Sequence, residues 1–113
     1  MKFTPGILRA AYDFLVTTPP FRRWNLPPGE DVDFKVSKDL VCIGTYQTRD
    51  DHTITLSAAR VCHTATLIVT MAHEMVHLAQ VEDGSVTRTM HNAAFRRMAK
   101  VVCRHHGFDP LEF

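Results

Sequence analysis

Residues His73-Glu74-Met75-Val76-His77 form an H-E-x-x-H run inside a stretch, 64–80, that contains no glycine or proline. Leu67, Ile68, Val69, Met71, Ala72, Met75, Val76, Leu78 and Ala79 cover most of a helical circumference there, so the spacing predicts a helix buried on nearly every side. One polar stripe interrupts it, made of Thr66, Thr70, His73, His77 and Gln80 with Glu74 at its margin. Burying unpaired imidazoles and a carboxylate is costly. A fold built around this helix must therefore leave a cleft along the stripe, hold a metal there, or both.

Two histidines four apart on a helix project from one face, about 6 Å apart along the axis, so both can reach one metal ion. Glu74 then lies beside the ion without ligating it. A carboxylate so placed can take a proton from an attacking water and pass it to a leaving amine, which is the chemistry of peptide-bond hydrolysis. The bland alternative, two satisfied core histidines and a structural glutamate, needs several buried partners at once.

A third ligand cannot come from the same helix. Glu82, Asp83, Gly84 and Ser85 stop the apolar pattern, and Gly84 suits the left-handed residue that often follows a helix end. A second helical pattern runs over about 89–106 and ends at Gly107, with Pro110 beyond. Its apolar stripe is Ala94, Phe95, Met98, Val101 and Val102, and one turn further back lies His91, fourteen residues past His77. His91 is the favoured third ligand, with Glu82 and Asp83 as rivals that would need a sharp turn back along the first helix. Three histidines and a water make an open tetrahedral site, with Zn–N bonds of about 2.0–2.1 Å. His105 and His106 are read as partners of the helix dipole.

The N-terminal half reads as scaffold. Thr4 and Pro5 begin a helix whose apolar face is Ile7, Leu8, Ala11, Tyr12, Phe14 and Leu15, running to about Val16, and Pro19-Pro20 ends it. The proline-rich segment 19–32 forms a loop with Trp24 as a core anchor. Alternation places strands around Phe34 and Val36, over 40–48, and over 53–57 after a turn at Asp50-Asp51. The last strand leads into the H-E-x-x-H helix, so its edge is expected to be free for a substrate backbone to pair with.

The runs Cys42-Ile43-Gly44-Thr45-Tyr46, Thr53-Ile54-Thr55-Leu56-Ser57, His73-Glu74-Met75-Val76-His77 and His91-Asn92-Ala93-Ala94-Phe95 together resemble the SprT-like metallopeptidase family, which includes Spartan. The resemblance covers roughly residues 5–107. It implies a small three-stranded sheet ahead of the active-site helix; with the helices and strands read above, the expected fold is an α+β, zincin-like domain with three main helices and a small three-stranded antiparallel sheet. It also implies Zn2+ on His73, His77 and His91, with Glu74 as general base. Asn92 stands where many members have glycine, and the domain is expected to be a minimal one without the C-terminal zinc ribbon that helps relatives engage DNA. Asparagine shares some of glycine's backbone tolerance.

With 113 residues the chain is expected to form a single domain, 1–113, able to bury one core without disulfides. Cys42, Cys62 and Cys103 are odd in number and without a C-x-x-C pair, so they are expected to be reduced, partly buried thiols of a cytoplasmic, monomeric protein. No stretch reads as a signal peptide or membrane span. The expected function is zinc-dependent metalloendopeptidase action on protein or peptide substrates. Tyr46, His105 and nearby arginines are candidates for stabilising the oxyanion, with none assigned. The net charge of +1 gives no strong case for nucleic acid, yet Arg96, Lys100 and Arg104 repeat every four residues and could meet DNA weakly. Two other readings stand beside this one: a DNA-binding or regulatory module with a structural zinc and little proteolytic activity, and a zinc hydrolase of non-peptide amides. The intact Glu74 argues against the first, because structural zinc needs no general base.

Overall fold

The computed structural model describes residues 2–48, 52–61 and 63–113. Three helices and a three-stranded sheet make an α+β fold: α1 (Pro5–Val16), β1 (Val32–Ser37), β2 (Gly44–Gln47), β3 (His52–Ser57), α2 (Thr64–Asp83) and α3 (Ala93–His106). Thr4 caps α1 by accepting from the Ile7 backbone N–H at 3.3 Å, with Pro5 at the first helical position. Leu8, Ala11, Tyr12 and Leu15 are its buried face, whereas Phe14, expected in that face, is 56% exposed. Tyr12 reaches the proline-rich loop through a 2.6 Å hydrogen bond from its hydroxyl to the Pro27 carbonyl. Trp24 packs against the core as expected, edge-on to Phe21.

The sheet departs from the expected antiparallel arrangement. Its order is β1-β3-β2, with β1 parallel to β3 and β2 antiparallel to it. The physical reason lies in residues 38–43, which cross the end of β3 rather than turning back as a hairpin. Ala58 donates to the Ser37 carbonyl at 2.8 Å and Ser57 donates to the Ile43 carbonyl at 2.9 Å, so the end of β3 sits between the two ends of this connection. Asp39 shapes the crossing: its Oδ1 accepts from the Val41 and Cys42 amides, and its carbonyl accepts from the Ser57 hydroxyl at 2.6 Å. Consequently Leu40 and Val41, expected at the start of the second strand, are exposed loop residues and the strand begins at Gly44. Both edges of β3 are paired, so the edge expected to be free is closed. Among the described residues, the unpaired edges lie on β1 and β2.

Helix α2 runs through the middle of the protein, with Met71, Ala72, Met75, Val76 and Leu78 wholly buried against α1, the sheet and α3. It ends in left-handed Gly84 (φ 74°), and α3 ends the same way at Gly107 (φ 76°). The expected start of α3 near residue 89 is four residues early. Asn92 is the cap: its Oδ1 accepts from the Phe95 amide at 2.9 Å, so His91 precedes the helix rather than riding on it. His106 is also more than a dipole partner. Because the Thr18 hydroxyl donates to the Leu15 carbonyl, its oxygen accepts from the His106 Nε2–H at 3.0 Å, tying the end of α3 to the end of α1. The turn at Asp50-Asp51 and Cys62 lie outside the described residues; Cys42 is exposed, Cys103 is buried, and both are free thiols. No helix among the described residues is long and apolar enough to cross a membrane.

Candidate metal centre

His73 and His77 project from one face of α2, and the connection between α2 and α3 returns His91 to the same point. Ligand atoms of the three imidazoles all lie within 4.8 Å of one another. Their ring centroids form a nearly equilateral triangle with sides of 5.0, 5.1 and 5.1 Å. His77 Nε2 and His91 Nε2 are 3.3 Å apart. Two nitrogens bound to one zinc at about 2.0–2.1 Å, at the tetrahedral angle, sit about 3.3–3.4 Å apart, so the spacing suits a shared metal ion. His73 Nδ1 is 2.6 Å from the Phe113 backbone oxygen. That oxygen can only accept, so Nδ1 carries the hydrogen and the Nε2 lone pair is left for a metal.

Phe95, in the first turn of α3, is the floor beneath this triangle. Its ring lies 5.1, 4.6 and 4.5 Å from His73, His77 and His91, stacked on the latter two. Burial among these rings lowers the pKa of His77 to about 4, helped by His73 and His91, and burial likewise lowers that of His73. Neutral imidazoles are the form that binds metal.

Glu74 is 4% exposed, and burial alone pushes its carboxyl up to about 7. Part of its enclosure comes from Gly44 on β2. A Cβ at that position would lie 3.2 Å from Glu74 Oε2 and 2.7 Å from Leu56 Cδ2, so glycine lets the strand backbone close over the carboxylate. A cleft of about 160 Å³ opens here, with Gly44, Thr70, His73, Glu74, Glu112 and Phe113 in its walls.

His91 is held by the residues that follow it. Asn92 Oδ1 accepts from both the Phe95 amide and the Gln80 side chain, and Asn92 Nδ2 donates to the Ser85 carbonyl and the Thr87 hydroxyl, each at 3.0 Å. Arg96 donates to the His91 carbonyl at 2.8 Å. Asn92 is in extended backbone (φ −74°), so its side chain, not a tolerance for positive φ, explains its presence.

The rival ligands are occupied elsewhere. Glu82 Oε1 pairs with His52 Nε2 at 2.8 Å, and Asp83 Oδ1 accepts from the Ser85 amide. Of the oxyanion candidates, Tyr46 gives its hydroxyl to His52 Nδ1, and His105 is exposed in the last turn of α3, away from the centre. Sequence reasoning gave no role at the centre to four residues that surround it: Asn92, Gly44, Phe95 as a floor, and Phe113. Asparagine just before an apolar run is a helix-start signal and marks the first of them. Nothing in the local pattern marks Phe113, whose contact spans forty positions of sequence.

An α+β domain whose long central helix presents H-E-x-x-H histidines beside a third histidine and a buried glutamate defines a metallopeptidase-like protein. The SprT-like family matches residues 18–110, and the chain belongs to that family. Comparison with curated proteins gives no match.

Proposed function

We propose that the protein is a zinc-dependent metalloendopeptidase that hydrolyses peptide bonds of protein substrates, with His73, His77 and His91 as metal ligands and Glu74 as general base. The observation that carries the reading is the imidazole triangle beside a buried carboxylate. Three neutral nitrogen donors form a set that zinc favours. Zinc held by the three imidazoles would supply Lewis acidity to a scissile carbonyl and to an attacking water. Glu74 removes the water proton and delivers it to the departing nitrogen, the role of a buried carboxylate beside the centre. Phe113 and Phe95 hold His73 in the orientation that directs Nε2 inward. The free edge of β2 gives an extended peptide a strand to pair with as it crosses the centre.

Against a purely structural zinc stand the exposure of His91, which leaves the centre open on one side, and the buried Glu74, which such a site does not need. Replacing Glu74 by Gln keeps shape and zinc content and should lower cleavage of an unstructured protein such as casein by roughly 100-fold or more. Undiminished turnover by the zinc-loaded variant rejects the assignment.

One observation favours a DNA-associated form of this activity. Helix α3 carries Arg96, Arg97, Lys100 and Arg104, all exposed, and no acidic residue. Phosphate contacts from that face should give non-specific binding of about 10⁻⁴–10⁻⁶ M that weakens steeply with salt. Lys100→Glu with Arg104→Glu is the informative variant, since Arg96 also supports His91. Equal binding by that variant, or none by the wild type at low salt, shows that the face is only solvated.

A further inference from the structure

A second cleft, of about 210 Å³, opens on the other side of the histidine centre. His77 and Gln80 of α2 form its inner wall, Tyr46 on β2 one side, and Val81, Val86 and Met90 the rest, with Thr48 at its margin. No acidic or basic side chain other than His77 lines it among the described residues. Two of its polar groups are already committed: the Gln80 amide donates to Asn92 Oδ1 at 2.9 Å, and the Tyr46 hydroxyl bonds to His52 Nδ1. The walls therefore present mainly carbon to an occupant.

The two sides of the cleft differ in rigidity. The Tyr46 ring stacks on His52, with centroids 5.9 Å apart and planes 21° apart, and His52 is anchored to Glu82 at 2.8 Å. This chain of contacts ties β2 to β3 and to α2, and it fixes the Tyr46 ring as a firm wall. Val86 and Met90 face it from the connection between α2 and α3, and they are 53% and 67% exposed. Two large apolar side chains left in water beside a metal centre are not required by the core, which α2 fills with other residues.

We propose that this cleft is a substrate subsite that takes an apolar side chain, of the size of Leu or Met, from the residue flanking the scissile bond on the His77 side. The inference rests on reading the histidine centre as a peptidase site, because His77 belongs both to that centre and to the cleft wall. A peptide crossing the centre along β2 brings one neighbouring side chain over Tyr46, and burying it against Val81, Val86 and Met90 releases apolar surface from water. The 160 Å³ cleft on the opposite side sets two carboxylates, Glu74 and Glu112, beside Ile43, Val69 and Phe113, whereas the His77 side carries no carboxylate among its described lining residues.

The test has two arms. In the first, zinc-loaded wild-type protein digests a mixture of unstructured peptides, and the cleavage sites are read by mass spectrometry. Apolar residues should be enriched on one side of the cut, with kcat/KM for a matched Leu peptide at least about 10-fold above its Asp counterpart, the range one hydrophobic pocket can discriminate. Val86→Glu and Met90→Glu should each remove most of that preference. In the second, the Met90 methyl resonance of the Glu74→Gln protein is followed while the same two peptides are titrated, and it should move with the Leu peptide and not with the Asp peptide. A flat cleavage profile from active wild type, or a Met90 methyl that responds to neither peptide, overturns the subsite. Selective binding by the Leu peptide with no cleavage of any peptide by the wild type would leave the subsite standing and sink the peptidase reading instead.

Discussion

Replacing Asn92 by Ala removes a residue that touches no metal yet holds His91 in place. The variant loses the N-cap of α3, a change that costs about 0.5–2 kcal/mol. It also strands the Gln80 amide, which is 1% exposed and donates to Asn92 Oδ1, and an unsatisfied buried donor costs a further 1–3 kcal/mol or so. Together these give a loss of about 1.5–5 kcal/mol, a large fraction of the roughly 5–15 kcal/mol that holds a domain together. For a chain of this length, at about 4 °C per kcal/mol, that corresponds to a fall in Tm of about 6–20 °C, measured on metal-free protein so that folding is not masked by metal binding. Asn92→Asp keeps the acceptor for Phe95 and Gln80 but loses the donors to Ser85 and Thr87, so it should fall between wild type and Ala. Chelator competition reads the second consequence: with the residue before the cap released, metal affinity should drop about 10–100-fold, the usual effect of losing an outer-shell support. If Asn92→Ala melts within about 2 °C of wild type and binds metal equally well, the view that this asparagine builds the site is wrong.

Two shorter predictions concern histidines. His91→Ala should purify with less than stoichiometric zinc and lose most of the thermal stabilisation that zinc gives the wild type, since two imidazoles make an incomplete site; wild-type zinc affinity in that variant would move the third ligand elsewhere. Burial holds the His106 pKa below its usual 6.5, so as pH falls past about 6.5 the unfolded chain takes up that proton first. The stability His106 lends is therefore present above that pH and lost as pH falls through its folded value. The drop in Tm between pH 7.5 and 5 should be shallower in His106→Gln than in wild type; parallel curves would mean that His106 does not contribute to it.

Much of α2 was legible because its constraints are local. The apolar residues around the H-E-x-x-H run have no solvent to face, and Gly84 terminates the helix by a backbone conformation that glycine adopts without strain. The sheet was legible only as strands. Alternation reports which side of a strand is buried, but it carries no information on which neighbour it pairs with or in which direction. That was decided by Asp39 and the Ser57 bonds, which send residues 38–43 across the end of β3. The beginning of α3 was misplaced for a related reason. His91 continues the apolar stripe backwards by one turn, and so looks helical by periodicity, while the competing signal is the single capping side chain of Asn92.

The misplacement matters chemically. On a helix, His91 would have its backbone direction dictated by α3 and its position set by how α3 packs on α2. Ahead of the cap, its position is instead set by the connection, through Asn92 to Ser85, Thr87 and Gln80 and through Arg96 to its own carbonyl. Gln80 belongs to α2, one turn beyond His77, so the same hydrogen bond that closes the connection references His91, through its neighbour Asn92, to the helix that bears the other two imidazoles. This arrangement lets the short return from α2 to α3 do two jobs. Its polar side chains fix the third imidazole, and its apolar ones, Val86 and Met90, are left free to face the cleft beside His77. Variation at Val86 or Met90 can then alter what lies next to the centre without moving His91, because neither side chain takes part in the bonds that hold it.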